Sequence, residues 1–235
     1  MRFMTKPSKF LINAAIRVFR YLKYTKNRGP RFVRKGQLPK GQEDNVLYAF
    51  TDTSHGDCLF TYRTTGSYSL MMNGAVFMHR VGRLPVQTIS TCESEYIQLS
   101  LATPQVLWIR ELLEKIGFPQ VKATPIFVDN SAAEALSMNP CLNSKTRHIP
   151  IRFHFVREHI NANRIIVIHI DTKDQLADLG TKALSLPVHE RHTKKFFNEE
   201  DDTISSELSF FVHIPNIIQH QPKSEHHLLY LNFNP

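Results

Sequence analysis

The order of the predicted strands and helices is the sequence feature that most restricts the fold. A first apolar run at 46–51 is followed by runs at 67–72 and 75–80, which flank the dipeptide Asn73-Gly74. This dipeptide favours positive φ at both central positions of a two-residue turn, so a β-hairpin is expected. Helices then alternate with single strands. Strands that are first antiparallel and later alternate with helices indicate an α/β fold, with a mixed five-stranded sheet flanked by helices.

Capping residues delimit the elements after the hairpin. Ser90, with Glu93 three residues later, has the spacing of a capping box and predicts a long helix that ends at Gly117. Pro104 is expected to kink this helix, because proline lacks the backbone N–H. The remaining predictions are a strand at 125–128, a helix from Ser131, a helix at 148–160, a strand at 165–170 and a helix capped by Thr172 and Gln175.

Positive charge is concentrated at the amino terminus. The 235-residue chain has a net charge of +8, and residues 1–45 contain twelve Lys and Arg but only two acidic residues. Residues 9–25 have apolar side chains at helical spacing, whereas Arg17, Arg20 and Lys23 lie off that stripe. A basic arm beside a nearly neutral domain is typical of proteins that bind polyanions, so these three residues are candidates for contact with a nucleic-acid backbone.

Composition shifts predict the domain organisation. Two Gly and one Pro among polar residues at 36–44 indicate a linker. We therefore expect a basic amphipathic helix within 1–30, a linker at 31–45, one α/β domain at 46–198 and a poorly specified tail at 199–235. No apolar run approaches the roughly 18 residues of a membrane helix, and no secretory signal is recognisable, so an intracellular protein without membrane contact is expected. The spacing of Cys58, Cys92 and Cys141 suggests neither a disulfide framework nor a zinc ribbon.

Four acidic residues lie at the ends of predicted elements, where their side chains could converge: Asp52, Glu95, Asp129 and Asp178. Clustered carboxylates repel each other and stay ionised together only if cations neutralise them, and hard oxygen ligands select Mg²⁺ or Mn²⁺ over zinc. Two such ions can activate a water molecule and stabilise the leaving oxygen of a phosphodiester. For any one of these acids a helix cap or an exposed surface position is the commoner role, and spacing alone does not bring the four together.

Neighbouring acids can be separated by their expected local roles. Glu93 occupies the capping-box position and should fold back onto the Ser90 amide, which leaves Glu95 free to point elsewhere. Asp174 lies in the first turn of its predicted helix, where a carboxylate complements the helix dipole, whereas Asp178 lies one turn further in. Glu95 and Asp178 are therefore the better candidates for a metal site.

Six segments in order resemble one protein family. They are NAAIRVFRYLKYT (13–25), STCESEYIQLS (90–100), LWIRELLEKIG (107–117), FVDNSAAEAL (127–136), KTRHIPIRFHFVREHI (145–160) and DQLADLGTK (174–182). Together they resemble the ribonuclease H domain of copia-type retrotransposon polyproteins, from the helix that precedes this domain to its last acidic motif.

The resemblance implies a ribonuclease H-like fold that cleaves the RNA strand of an RNA·DNA hybrid with two Mg²⁺ ions, for which Mn²⁺ can substitute. Asp52, Glu95, Asp129 and Asp178 match the catalytic, metal-binding acids of that superfamily. An upstream reverse transcriptase region would be a partner in the full polyprotein, located in a cytoplasmic particle or the nucleus. Asn130, Lys145 and Arg147 join Arg17, Arg20 and Lys23 as candidates for nucleic-acid contact.

The chain also departs from the family pattern. Ser54 and His55 stand where the family commonly has an acidic residue and Trp, Pro150 replaces an Asp, and Pro104 falls within a normally regular helix. These departures leave an alternative open: a catalytically decayed fragment that keeps the fold as a nucleic-acid or protein binding module. A module that only supports a polymerase, without metal-dependent activity, is a third possibility.

Overall fold

The hairpin and the strands after it form one five-stranded sheet in the order β3-β2-β1-β4-β5. This computed structural model describes residues 8–34, 36–38, 43–56, 62–138, 149 and 153–199. β1 pairs antiparallel with β2 and parallel with β4, and β4 pairs parallel with β5. The strands are β1 (Tyr48–Ser54), β2 (Thr65–Met72), β3 (Ala75–Arg83), β4 (Thr124–Val128) and β5 (Ile165–His169). The predicted mixed five-stranded sheet is confirmed, in the strand order of a ribonuclease H-like fold.

Helices cover both faces of the sheet. The helices are α1 (Lys9–Tyr24), α2 (Thr91–Lys115), α3 (Ser131–Met138), α4 (Phe155–Asn161), α5 (Asp178–Thr181) and α6 (Leu186–Phe197). On one face the main core joins α2, through Tyr96, Leu99 and Val106, to Leu70 and Ile126 of the sheet. A smaller core on the other face contains Phe50, Phe127, Leu176 and Phe196. Because helices cover both faces, the three central strands β2, β1 and β4 are buried along almost their whole length.

The first strand and the last predicted helix differ from the structure. β1 continues to Ser54, because residues 52–54 still pair with 65–67 of β2, so Asp52 lies inside the strand and not at its exit. α2 continues through Pro104 as one helix, and the kink expected there stays a prediction. The predicted last helix is two short pieces, a 3₁₀ turn at Thr172–Asp174 and then α5, and sequence reasoning did not predict α6.

The predicted helix caps differ from the structure by one residue at two points. Ser90 accepts the Glu93 N–H as expected, but the Glu93 carboxylate accepts the N–H of Ile89, one residue before the cap. The helix predicted from Ser131 is capped by Asn130, whose side-chain oxygen accepts the N–H groups of Ala132 and Ala133. α4 begins at Phe155, and residues 148 and 150–152 of the helix predicted there lie outside the described residues.

α1 forms where the sequence predicts it, with none of its residues buried. Just after the helix, Arg28 binds Glu190 at 2.6 Å and Glu199 at 3.2 Å, and the Arg31 N–H donates to the Phe197 carbonyl. These contacts hold the start of the predicted linker against α6. Within the described residues, no helix is both long and apolar enough to cross a membrane. The domain boundaries remain predictions.

Candidate metal centre

Three aspartates from separate elements meet at one edge of the sheet. Asp52 lies in β1, Asp129 follows β4, and Asp178 begins α5. The parallel register places Phe50 opposite Phe127, so Asp52 and Asp129 lie level on neighbouring strands. One carboxylate oxygen from each aspartate lies within 4.8 Å of the others. The topology therefore brings together side chains that are far apart in the sequence.

α5 is held in place by polar contacts with β1. The Gln175 side-chain amide, which is fully buried, donates to the Thr51 carbonyl at 2.9 Å. The Thr181 hydroxyl donates a hydrogen bond to Asp52 Oδ2. Because these contacts lie on either side of Asp178, they fix its carboxylate beside the strand.

Gly180 permits the close approach of α5 to β2. A Cβ at position 180 would lie 2.6 Å from Ser67 Oγ and 2.9 Å from Ser67 Cβ, and 2.6 Å from Val81 Cγ2. We expect Gly180→Ala to destabilise the protein by about 1–3 kcal/mol, because α5 must move away from the sheet. Urea unfolding measures this. Gly82→Ala is the control, since its added methyl group meets no atom within 4 Å; equal losses in both variants would contradict the packing role.

Glu95 approaches the same edge from α2. The helix is tied to β1 by a 3.0 Å hydrogen bond between Thr53 and Ser94, and Asn130 donates to Glu95 Oε1 at 3.3 Å. Glu95 is 9% exposed and is not part of the three-aspartate group. Glu93 meanwhile caps the helix, so the predicted division of roles between the two glutamates agrees with these contacts.

Burial and mutual repulsion raise the pKa values of two of these acids. Burial, followed by the charges of Asp129 and Asp52, raises the pKa of Glu95 to about 8, against a smaller opposite effect of the Asn130 hydrogen bond. Burial also raises the pKa of Asp52 to about 7, although Thr181 and Lys182 lower it. Ionised carboxylates are thus costly here without a compensating cation.

These pKa values predict how the stability of the metal-free protein depends on pH. The folded-state pKa values exceed the unfolded values of about 4, so the folded protein binds the protons more tightly and loses this stabilisation as pH rises from about 4 to about 8. In EDTA, the midpoint of thermal unfolding should fall further over this range for the wild type than for the Asp52→Asn, Glu95→Gln double variant, whose amides do not titrate. Parallel curves would refute the assignment.

Two buried carboxylate oxygens in the described part of the chain lack a hydrogen-bond partner. Glu95 Oε2 and Asp129 Oδ1 make no hydrogen bond within the described part of the chain. Unpaired buried oxygen atoms are unfavourable unless an unseen ligand binds them. A cluster of hard oxygen donors with free lone pairs fits a divalent cation such as Mg²⁺ or Mn²⁺.

The residues predicted to contact nucleic acid lie in separate parts of the chain. Arg17, Arg20 and Lys23 are exposed on α1. Asn130 lies at the acidic cluster of Asp52, Glu95, Asp129 and Asp178, where it donates to Glu95 and caps α3. Lys145 and Arg147 lie outside the described residues.

Sequence reasoning did not single out Gln175, Thr181 or Lys182 as site residues. Lys182 Nζ lies 2.7 Å from Asp178 Oδ1 and 3.4 Å from Asp52 Oδ1. Although burial lowers the pKa of Lys182, the hydrogen bond to Asp178 and the nearby acids outweigh this effect, so its pKa is raised. The available signal was their presence in the segment DQLADLGTK, which also contains Asp178.

Comparison with known proteins identifies relatives among transposon polyproteins. The chain is 29% identical over 194 residues, 83% of its length, to the retrovirus-related Pol polyprotein from transposon RE1 of Arabidopsis thaliana. It is 26% identical over 183 residues, 78% of its length, to that from transposon TNT 1-94 of Nicotiana tabacum. It is 22% identical over 157 residues, 67% of its length, to the transposon Ty1-DR5 Gag-Pol polyprotein of Saccharomyces cerevisiae. The chain spans 13%, 13% and 9% of these relatives, respectively.

Solved structures provide a weaker comparison. The ribonuclease H1 LC11, isolated from compost, shares 12% identity and a TM-score of 0.42 over 57% of this chain and 91% of its own. The ribonuclease H1 from Halobacterium salinarum shares 11% identity and a TM-score of 0.37 over 56% and 90%. No protein-family model matches the chain. Because both TM-scores are below 0.5, the fold assignment rests on strand order and pairing. The chain is thus related in sequence to one region of the Pol polyproteins of copia-type retrotransposons, and it has a ribonuclease H-like fold.

Proposed function

We propose that this chain is a retrotransposon-derived ribonuclease H, which hydrolyses the RNA strand of RNA·DNA hybrids endonucleolytically with divalent metal ions. The observation that carries the proposal is the convergence of Asp52, Asp129 and Asp178 within 4.8 Å at the edge of a mixed sheet. The similarity to transposon Pol polyproteins supports hybrid nucleic acid as the substrate.

The proposed metal ligands are Asp52, Glu95, Asp129 and Asp178. Two Mg²⁺ ions, or Mn²⁺ in their place, would supply an activated water molecule and stabilise the leaving oxygen of the phosphodiester. The unpaired Glu95 Oε2 and Asp129 Oδ1 support these two residues as ligands. Thr181 orients Asp52, and Asn130 orients Glu95, through the hydrogen bonds described above.

Substrate binding would depend on basic residues outside the acidic cluster. Arg17, Arg20 and Lys23 remain proposed backbone contacts, because phosphate contacts need exposed cations and all three are exposed. Lys145 and Arg147 are proposed from the resemblance alone. The upstream reverse transcriptase region is the proposed partner in the polyprotein, which would act in a cytoplasmic particle or the nucleus.

The decisive experiment is cleavage of a labelled RNA·DNA hybrid by the full 235-residue chain. We expect Mg²⁺ or Mn²⁺ to produce internal cuts in the RNA strand, with none in EDTA. Duplex DNA of the same sequence is the substrate control and should stay intact. Hybrid binding without any cutting, with either ion, would contradict the enzyme proposal and favour the alternative, a catalytically decayed binding module.

A further inference from the structure

A lysine ammonium group lies within the acidic cluster. Lys182 Nζ donates to Asp178 Oδ1 at 2.7 Å and lies 3.4 Å from Asp52 Oδ1, while both aspartates are almost fully buried. Lys182 thus contacts two of the three aspartates of the proposed metal site. An ammonium group supplies the positive charge that closely spaced carboxylates require.

The same carboxylate oxygens cannot easily serve the ammonium group and a divalent ion together. Asp178 Oδ1 and Asp52 Oδ1 are the oxygens that pair with Nζ, and a cation bound to them would repel Lys182 at short range. Thr181, in contrast, uses the other Asp52 oxygen, Oδ2, so its hydrogen bond does not oppose a cation at Oδ1.

We propose that Lys182 is a built-in competitor of the metal ion: its ammonium group neutralises Asp52 and Asp178 in the metal-free protein and must leave the cluster when the metal binds. The inference rests on the proposed function, because it uses the same metal site. Lys182 would thereby set the metal concentration at which the site becomes occupied.

Local structure allows this departure. Lys182 follows the last residue of α5 and has extended backbone, with φ −126° and ψ 150°. Its side chain is 35% exposed, whereas those of Asp52 and Asp178 are 1% and 6% exposed. A four-carbon stem at the surface can move its charge into water while the buried aspartates stay in place.

The test is calorimetric titration of the full chain with Mn²⁺ in the absence of nucleic acid. We expect Lys182→Met to bind Mn²⁺ roughly tenfold more tightly than the wild type, because the competing charge is gone. Without metal, Lys182→Met should unfold at a lower temperature than the wild type, and saturating Mn²⁺ should raise its unfolding temperature by a larger amount. Lys182→Gln is a second neutral variant, which can still donate a hydrogen bond to Asp178, should Lys182→Met fail to fold.

Two further variants control for charge. Lys173→Met removes a charge from an exposed pair with Asp171, 3.4 Å apart, and should leave Mn²⁺ affinity unchanged. Lys182→Arg keeps the charge in the cluster and should bind Mn²⁺ close to the wild-type affinity. Unchanged or weaker binding by the neutral Lys182 variants, with normal binding by the wild type, would overturn this inference alone. Absence of Mn²⁺ binding by the wild type would overturn the proposed metal site as well.

Discussion

Replacement of Asp129 by Asn should reduce cleavage of an RNA·DNA hybrid by more than about a hundredfold, since even the loss of groups that only support metal ligands costs 10–100-fold. The Asn side chain has nearly the same shape but no negative charge, and so it is a poorer ligand for Mg²⁺. Asp129 Oδ1 makes no hydrogen bond in the described residues, so the fold should tolerate the change. Initial rates of RNA-strand cleavage at saturating Mg²⁺ measure the effect.

The matched control is Asp174→Asn, which also removes a partly buried aspartate close to α5. Asp174 pairs with Lys195 at 3.1 Å and does not belong to the three-aspartate group. We expect this variant to keep cleavage within a few-fold of the wild type. Equal losses of activity in the two variants, with both folded by circular dichroism, would show that Asp129 is not a specific ligand.

Glu95→Gln is expected to produce the second large effect, again a loss of cleavage of about a hundredfold or more. Because burial and neighbouring acids raise the pKa of Glu95 to about 8, the neutral amide should not destabilise the metal-free fold above neutral pH. The variant should therefore separate activity from stability: cleavage falls while the thermal midpoint in EDTA stays equal or rises.

Glu93→Gln provides the comparison within the same helical turn. Its side-chain oxygen can still accept the Ile89 N–H, and loss of the favourable charge at the helix amino terminus should cost about 0.3–1 kcal/mol. Cleavage should persist. If Glu93→Gln abolished cleavage and Glu95→Gln did not, the roles assigned to the two glutamates would be reversed.

The local signals in the sequence predicted the elements around the site. Asn73-Gly74 forms the hairpin turn, Ser90 caps α2 through the Glu93 N–H, and the apolar run before Asp129 forms β4. Each of these depends on interactions between residues close in sequence, which makes them predictable from residue type and spacing.

A tertiary contact explains why the helix predicted from Thr172 was wrong. A continuous helix from Thr172 satisfied the capping pattern, yet Gln175 turns inward and donates to the Thr51 carbonyl in β1, while its side-chain oxygen accepts the Ala177 N–H. This long-range bond competes with helix propagation and leaves only the short α5. Local propensity contains no information about such a partner, 124 residues away.

The sequence by itself determined the five strands, the helices up to α4 and the residue types able to bind a hard cation, because these depend on local periodicity, capping and chemistry. Only the tertiary structure decided that β1 and β4 are neighbours in parallel register, which places Asp52 level with Asp129. It also decided that α5 brings Asp178 and Lys182 to them. Convergence depends on strand pairing and packing between residues far apart in the chain, and spacing along the sequence does not encode these distances.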